Sequence, residues 1–187
     1  MKSSDMAAGM VFLAMSIAGS LSAAESWTME NPSVWARDKD AIRFAAVAGG
    51  FEVRHSGVAD WCVNGFPRIA ATHGDVFELS CEVAALADSA DSEAVGVGAV
   101  LYGADGKVVN WVYAPASAKP GGKVKSRFMV PRGVSEIRPR VLGSGRAAAR
   151  VLNVRFSRTG TFIPATVRSK TAGSSFGTSV INVMNII

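Results

Sequence analysis

Residues 94–113, AVGVGAVLYGADGKVVNWVY, leave this chain little choice but a β-hairpin. Val95, Val97, Ala99 and Leu101 alternate with Gly96, Gly98, Val100 and Tyr102, the period of two that sends successive side chains to opposite faces of a strand. Ala104-Asp105-Gly106-Lys107 supplies the turn: Gly106 accepts positive φ freely, and Asp105 can bond its own backbone. The returning arm, Val108-Val109-Asn110-Trp111-Val112-Tyr113, is rich in β-branched and aromatic residues. Both faces of this ribbon are apolar, which predicts a central place in a sheet.

The same punctuation recurs along the chain. Strands are expected at 41–47 and 51–55 around Gly49-Gly50, at 60–64, and in short form at 68–71. Residues 76–85 alternate cleanly, with Phe77, Leu79, Cys81 and Val83 on one side and Glu78, Ser80 and Glu82 on the other, the mark of a sheet with one wet face. After the hairpin, 114–122 (APASAKPGG) reads as a loop of low side-chain bulk beside an open surface. Strands follow at 124–130, 136–142 and 149–158, separated by Pro131-Arg132-Gly133 and Gly143-Ser144-Gly145. Residues 26–40 form an extended lead-in with one short strand, where Trp27 and Trp35 cover a sheet edge or core opening. No segment has the apolar period of an amphipathic helix. The expectation is an all-β fold: an antiparallel β-sandwich, a jelly roll of about nine strands.

The termini set the compartment. Lys2 precedes an apolar run at 10–18, and small residues stand at Ser22 and Ala24, the layout of a secretory signal peptide over 1–24. The sandwich then occupies 25–158, and 159–187 is a linker or loose C-terminal tail. Export places the protein in a secreted, periplasmic or cell-surface location, and no other segment is long and apolar enough to span a bilayer. The net charge is +5, with 20 basic and 15 acidic residues, which favours anionic partners weakly. Without a dense Lys/Arg cluster, and with export, nucleic acid is excluded. An oxidising compartment permits a bridge between Cys62 and Cys81. Alternation gives Cys81 to the core face and Cys62 to a face shared with Asp60 and Asn64, which predicts two separate thiols.

Several of these motifs, in this order, resemble carbohydrate-binding modules of the family-four and family-nine type. Gly74-Asp75-x-Phe77-x-Leu79-Ser80 is similar to their "pG-x-x-Y-x-l-S" strand. Leu101-Tyr102-Gly103-Ala104-Asp105-Gly106-Lys107-Val108, Val130-Pro131-Arg132-Gly133-Val134, Ile137-Arg138-Pro139-Arg140, Gly143-Ser144-Gly145 and Asn153-Val154-Arg155-Phe156 continue the likeness. The opening "N-x-x-F-E" is met loosely by Asn31-Pro32-Ser33-Val34-Trp35. The resemblance implies a galactose-binding-like jelly roll that holds glycans on a concave sheet or in an end groove, and often a structural calcium ion. Here Asn153 stands where such modules often have aspartate, and the opening acid is missing. The residues themselves supply no cofactor motif, and no metal-ligand set can be assembled from them.

A sugar site needs aromatic faces for the apolar side of a pyranose and planar polar groups for its hydroxyls. Tyr102, Asn110, Arg138 and Arg140 are expected around a shallow groove, with Trp111 and Tyr113, on one face of their strand, beneath it or in its wall. The plainer alternative makes Trp111 core and both arginines solvated. Arg127, Arg138, Arg140, Arg155 and Lys125 project outward, and would suit uronic or sulfated glycans if they share a sheet. His55 and His73 are isolated, and no pair of carboxylates is singled out for glycoside hydrolysis. The functional expectation is a non-catalytic module binding a polysaccharide or oligosaccharide, anionic ones included, with a catalytic domain or protein as a further partner. A structural or adhesive sandwich that binds protein at the cell surface is the alternative.

Overall fold

The computed structural model describes residues 25–162. The expected signal peptide and all but the first residues of the expected tail lie outside that span. The described chain is entirely strand, turn and loop. Its strands are β1 (Ser26–Thr28), β2 (Ser33–Ala36), β3 (Ile42–Val47), β4 (Gly50–His55), β5 (Asp60–Asn64) and β6 (Ile69–Ala70). They continue with β7 (Asp75–Ala85), β8 (Val95–Tyr102), β9 (Val108–Ala118), β10 (Gly122–Met129), β11 (Glu136–Ser144) and β12 (Ala147–Thr161).

These strands form two antiparallel sheets packed face to face as a jelly roll. The first runs β10-β7-β12-β4-β3, with β1 added to β12; the second runs β2-β5-β11-β8-β9, with β6 added to β11. Twelve strands replace the expected nine because the lead-in splits at Pro32 into two strands, one for each sheet, and short connections pair as well. The expected loop at 114–122 is strand as far as Ala118. Ala114, Ala116 and Ala118 pack on the core, while Pro115 sits on an edge strand, where its missing N–H costs no ladder bond. β12 extends to Thr161 and pairs with the start of β7.

The core follows the alternation read along β7. Phe77, Leu79, Cys81 and Val83 point inward and are almost fully buried. Phe77 stacks on Phe156 with centroids 4.8 Å apart, and Phe128 and Trp27 extend this aromatic layer across the first sheet. Tyr113 meets Phe128 edge-on at 5.6 Å, tying the second sheet to the first. Each fully buried aromatic or large aliphatic side chain contributes roughly 1.5–3 kcal/mol of transfer free energy, so this layer is a main source of cohesion. Both cysteines are free and buried, on different faces as the alternation predicts.

β8 is buried along its whole length, as a central strand should be. Its partner β9 lies at the sheet edge, so the ribbon is central on one arm only. The β8–β9 ladder carries three register shifts. Asn110 Oδ1 accepts a hydrogen bond from the Val112 backbone N–H at 2.9 Å, and Ala114 takes a positive φ of 49°. Extra residues therefore sit in β9, and the simple alternation of its side chains fails.

Candidate functional site

The outer face of the second sheet carries a groove. One row of paired residues crosses it: Trp35 on β2, Cys62 on β5, Leu142 on β11, Gly96 on β8 and Ser117 on β9. Around this row lies a depression of about 480 Å³ to which all five strands contribute. Leu142 forms its floor because Val141 and Gly143 on either side point into the core. A Cβ on Gly96 would meet the Ala116 carbonyl oxygen at 3.0 Å and Leu142 Cδ1 at 3.3 Å, so any larger residue there would crowd the floor. Trp35 stands at one edge of the sheet, 47% exposed.

Arg140 forms the wall toward the hairpin. Its Nη2 donates to the Trp111 carbonyl oxygen, and its Nη1 lies 3.6 Å from Cys62 Sγ. The guanidinium carbon sits 5.8 Å from the Trp111 ring centroid, within cation–π reach. The bulge in β9 thus turns Trp111 outward, 64% exposed, and Arg140 holds its backbone there. At the groove's other margin Asp60 accepts from Arg37 Nε at 2.5 Å. That hydrogen bond holds the Asp60 carboxyl below the usual carboxylate range.

The sequence-predicted residues do not all meet here. Arg140 and Trp111 come together. Tyr113 is separated from Trp111 by the bulge and points into the core, its hydroxyl donating to the Met129 carbonyl at 3.3 Å. The expectation that the two share a face is therefore corrected, as is the alternative that Trp111 is core. Asn110 spends its side chain on the bulge. Arg138 donates from Nε to the Phe66 carbonyl at 3.1 Å, one row further along. Tyr102 lies six residues beyond Gly96 on β8, about 20 Å at roughly 3.3 Å per residue. It is 6% exposed, and the Arg68 guanidinium covers its ring at 3.8 Å.

Trp35, Val112 and Leu142 are groove residues that sequence reasoning missed. A signal for Trp35 exists: Val34 and Trp35 alternate beside Val63 and Cys62, and alternation gives Cys62 to the polar face. The outward cations also divide. Lys125, Arg127 and Arg155 lie on the first sheet, Arg138 and Arg140 on the second, so the basic surface expected from them is not continuous. Lys125 is further paired with Glu78 at 2.8 Å.

The calcium ion implied by the resemblance does not suit the surroundings of Asn153. Asn153 donates from Nδ2 to Glu82 at 3.4 Å, and Glu82 is held by Lys123 at 2.9 Å beside the Arg155 guanidinium. Ca²⁺ requires six or more oxygen ligands, including free carboxylates. Among the described residues no group of three or more His, Cys, Asp or Glu is placed to hold a metal ion.

No protein-family model matches the chain, and no curated protein matches it. Solved structures do. The enzymatically active domain of bacteriophage CBA120 tailspike protein 4 superposes with a TM-score of 0.51 at 13% identity, over 67% of this chain and 19% of that one. The CBM22-1–GH10 modules of Clostridium thermocellum endo-1,4-beta-D-xylanase 10B, complexed with xylohexaose, give a TM-score of 0.49 at 14% identity, over 76% of this chain and 29% of that one. TmCBM61 in complex with beta-1,4-galactotriose gives 0.39 at 11% identity, over 70% and 90%. The chain thus corresponds to less than a third of the length of the first two. The likeness at these identities is one of fold: the protein is a two-sheet jelly roll. Within that class it is one whose second sheet presents an open, aromatic-flanked groove.

Proposed function

We propose that this protein is a non-catalytic carbohydrate-binding module that holds a polysaccharide across the outer face of its second sheet. The observation that carries this reading is the groove itself: it crosses all five strands from edge to edge, with an apolar floor and Trp35 exposed at its rim. A tryptophan face beside an apolar trough suits the C–H face of a pyranose, and open ends admit an internal segment of a polymer. Among the described residues only Asp60 brings a carboxylate to the groove, and it is bound to Arg37. Glycoside hydrolysis needs two carboxylates flanking the scissile bond, so the donor set supports binding without cleavage. The apolar segment at 10–18 and the small residues after it support export to a secreted, periplasmic or surface location, where a catalytic domain or protein partner would share the substrate.

Arg138 and Arg140 bring positive charge to this face, yet each already donates to a backbone carbonyl. Arg140, the one of the two that lines the groove, has both terminal nitrogens engaged and presents no free guanidinium fork there, which favours a neutral glycan over an anionic one. Affinity electrophoresis against neutral and acidic polysaccharides, at low and high salt, tests the reading. Retention by at least one neutral polymer, insensitive to salt and lost in W35A, is expected. Retention only by acidic polymers and only at low salt would point to charge recognition. No retention by any polymer would sink the reading. In that case the exposed Val109, Trp111 and Val112 on the edge strand would favour the alternative, a protein-adhesive surface.

A further inference from the structure

The outer face of the first sheet, turned away from the groove, is where the chain's positive charge gathers. β10, at the sheet edge, presents Lys123, Lys125 and Arg127 to solvent, because the alternate Val124, Ser126 and Phe128 are buried. β12 adds Arg150 and Arg155, and Arg43 stands opposite Arg54 across β3 and β4. The carboxylates of this face are Glu52, Glu78 and Glu82, and Asp88 reaches Arg54 from the β7–β8 connection. Residues 25–162 contain seventeen Lys and Arg and fourteen Asp and Glu. With seven cations against four acids, this one face holds the whole positive excess, and the remainder of the domain is balanced.

The acids do not exhaust the cations. Lys123 pairs with Glu82 at 2.9 Å, Lys125 with Glu78 at 2.8 Å, and Arg150 with Glu52. Arg127 and Arg155 have no carboxylate within ion-pair distance among the described residues, and Arg43 donates to the backbone carbonyls of Asp40 and Ile42. The Glu82 carboxyl is held below its ordinary range by the Lys123 hydrogen bond first, with Asn153 and the Arg155 charge adding to it. The cations are also spread out. From β10 to β3 they cross four strand spacings, about 19 Å at roughly 4.8 Å each, and from Lys123 to Arg127 they run about 13 Å along the strand.

A surface of this kind calls for a partner that is anionic, broad and indifferent to detailed shape. A docked protein would need apolar anchors at the centre of the contact. The outward positions between the cations are largely small or polar, Ala45, Ser80, Ala84 and Ser157, and the exposed Met129 stands apart at the end of β10. A fluid layer of lipid headgroups has no fixed pattern: its phosphates move sideways to meet cations wherever they stand, and its negative potential draws basic residues lying within about a Debye length. We propose that the outer face of the first sheet docks this protein peripherally on an anionic phospholipid bilayer. The groove occupies the opposite outer face, so a docked molecule holds its groove away from the lipid. No groove residue takes part, and either site can fail alone.

The test is flotation of the full chain with vesicles of phosphatidylcholine alone, or mixed with phosphatidylglycerol in about equal parts. Both are run in about 0.1 M and about 1 M salt, where the Debye length is roughly 10 Å and 3 Å. The apolar run at 10–18 would draw the chain to both vesicles alike, and the neutral ones measure that share. Poly-glutamate is the soluble acidic-chain competitor, and inorganic phosphate the free headgroup anion. At the lower salt the mixed vesicles should bind at least about tenfold more tightly than the neutral ones, and at the higher salt the difference should vanish. R127Q and R155Q should each weaken binding to the mixed vesicles about fivefold, the effect of about one cation near an anionic surface. Both side chains are exposed and hold no carboxylate, so loss of fold does not confuse the result. K107Q removes the same charge from the hairpin turn of the second sheet, and it should leave binding unchanged, as should W35A. The proposal is overturned by equal binding to both vesicles, by a difference that survives the higher salt, or by R127Q and R155Q without effect. It is overturned equally if K107Q weakens binding as much as they do, or if poly-glutamate or phosphate displaces the protein at charge concentrations below that of the lipid.

Discussion

A methyl group added at Gly143 would put the packing beneath the groove to its sharpest test. Gly143 lies on β11 between Leu142, which forms the groove floor, and Ser144, and its missing side chain faces inward onto Trp61. A Cβ there would stand 2.3 Å from Trp61 Cζ2 and 2.6 Å from Cε2. Carbon atoms rest about 3.5–4.0 Å apart at their optimum, so the indole would have to retreat by more than an ångström. Trp61 is 1% exposed and packed among core residues. Overpacking costs about 1–3 kcal/mol, and a clash with a buried rigid ring belongs near the top of that range. For a domain of this size, at roughly 3–4 °C per kcal/mol, G143A should melt about 10 °C below wild type. G160A is the matched control: its Cβ would meet no atom within 4 Å, and its φ is not left-handed. It should be neutral or stabilising, by about 0.4–1 kcal/mol. Thermal unfolding followed by circular dichroism compares them. In the W61F background the penalty for G143A should shrink, a coupling that a double-mutant cycle reads directly. Equal melting temperatures for G143A and G160A, or a penalty undiminished by W61F, would refute this account of the floor.

Three further outcomes follow from the same geometry. Burial pushes the Cys81 thiol up to about 12, from an ordinary 9.0. Stability that depends on this thiol staying protonated is present in full below pH 9 and is lost as pH rises toward 12, where the unfolded chain has released the proton and the folded chain has not. The fall in the urea midpoint between pH 8 and pH 11 should therefore be smaller in C81A than in wild type, and an equal fall would count against it. Asp60, held low by its hydrogen bond to Arg37, should titrate below 3.8 by carboxyl NMR and move upward in R37A; an unmoved midpoint would mean the ion pair is absent in solution. R68A removes the cation over the Tyr102 ring, worth about 0.5–1 kcal/mol at an accessible site. It should lower stability slightly and leave glycan retention intact, because Tyr102 is remote from the groove.

The parts of the fold that could be read from the sequence are those where one face is wet and the other dry. β7 announces itself through Phe77, Leu79, Cys81 and Val83 against Glu78, Ser80 and Glu82, and the structure keeps that division. The same logic separates the two cysteines. It failed on β9, where alternation put Trp111 and Tyr113 together. A bulge is set by a local hydrogen bond from the Val112 N–H to Asn110 Oδ1 and a left-handed Ala114, and neither residue type advertises it. It also failed where face depends on sheet membership: nothing in the order of the strands says that Arg127 and Arg155 lie on one sheet and Arg138 and Arg140 on the other. An isolated aromatic in a lead-in commonly covers a sheet edge or a core opening; Trp35 does lie on the edge strand, and what the lead-in does not reveal is the register against Cys62 that also brings it to the groove.

The irregular outer arm of the ribbon has a consequence for the molecule in company. An unpaired backbone margin that carries Val109, Trp111 and Val112 in solvent would ordinarily invite a neighbour's strand to zip onto it. The repeated slips in its hydrogen-bond spacing, together with Pro115, which offers no N–H, deny such a neighbour a continuous template. The chain can thus keep greasy side chains available to a ligand without becoming a seed for fibrils.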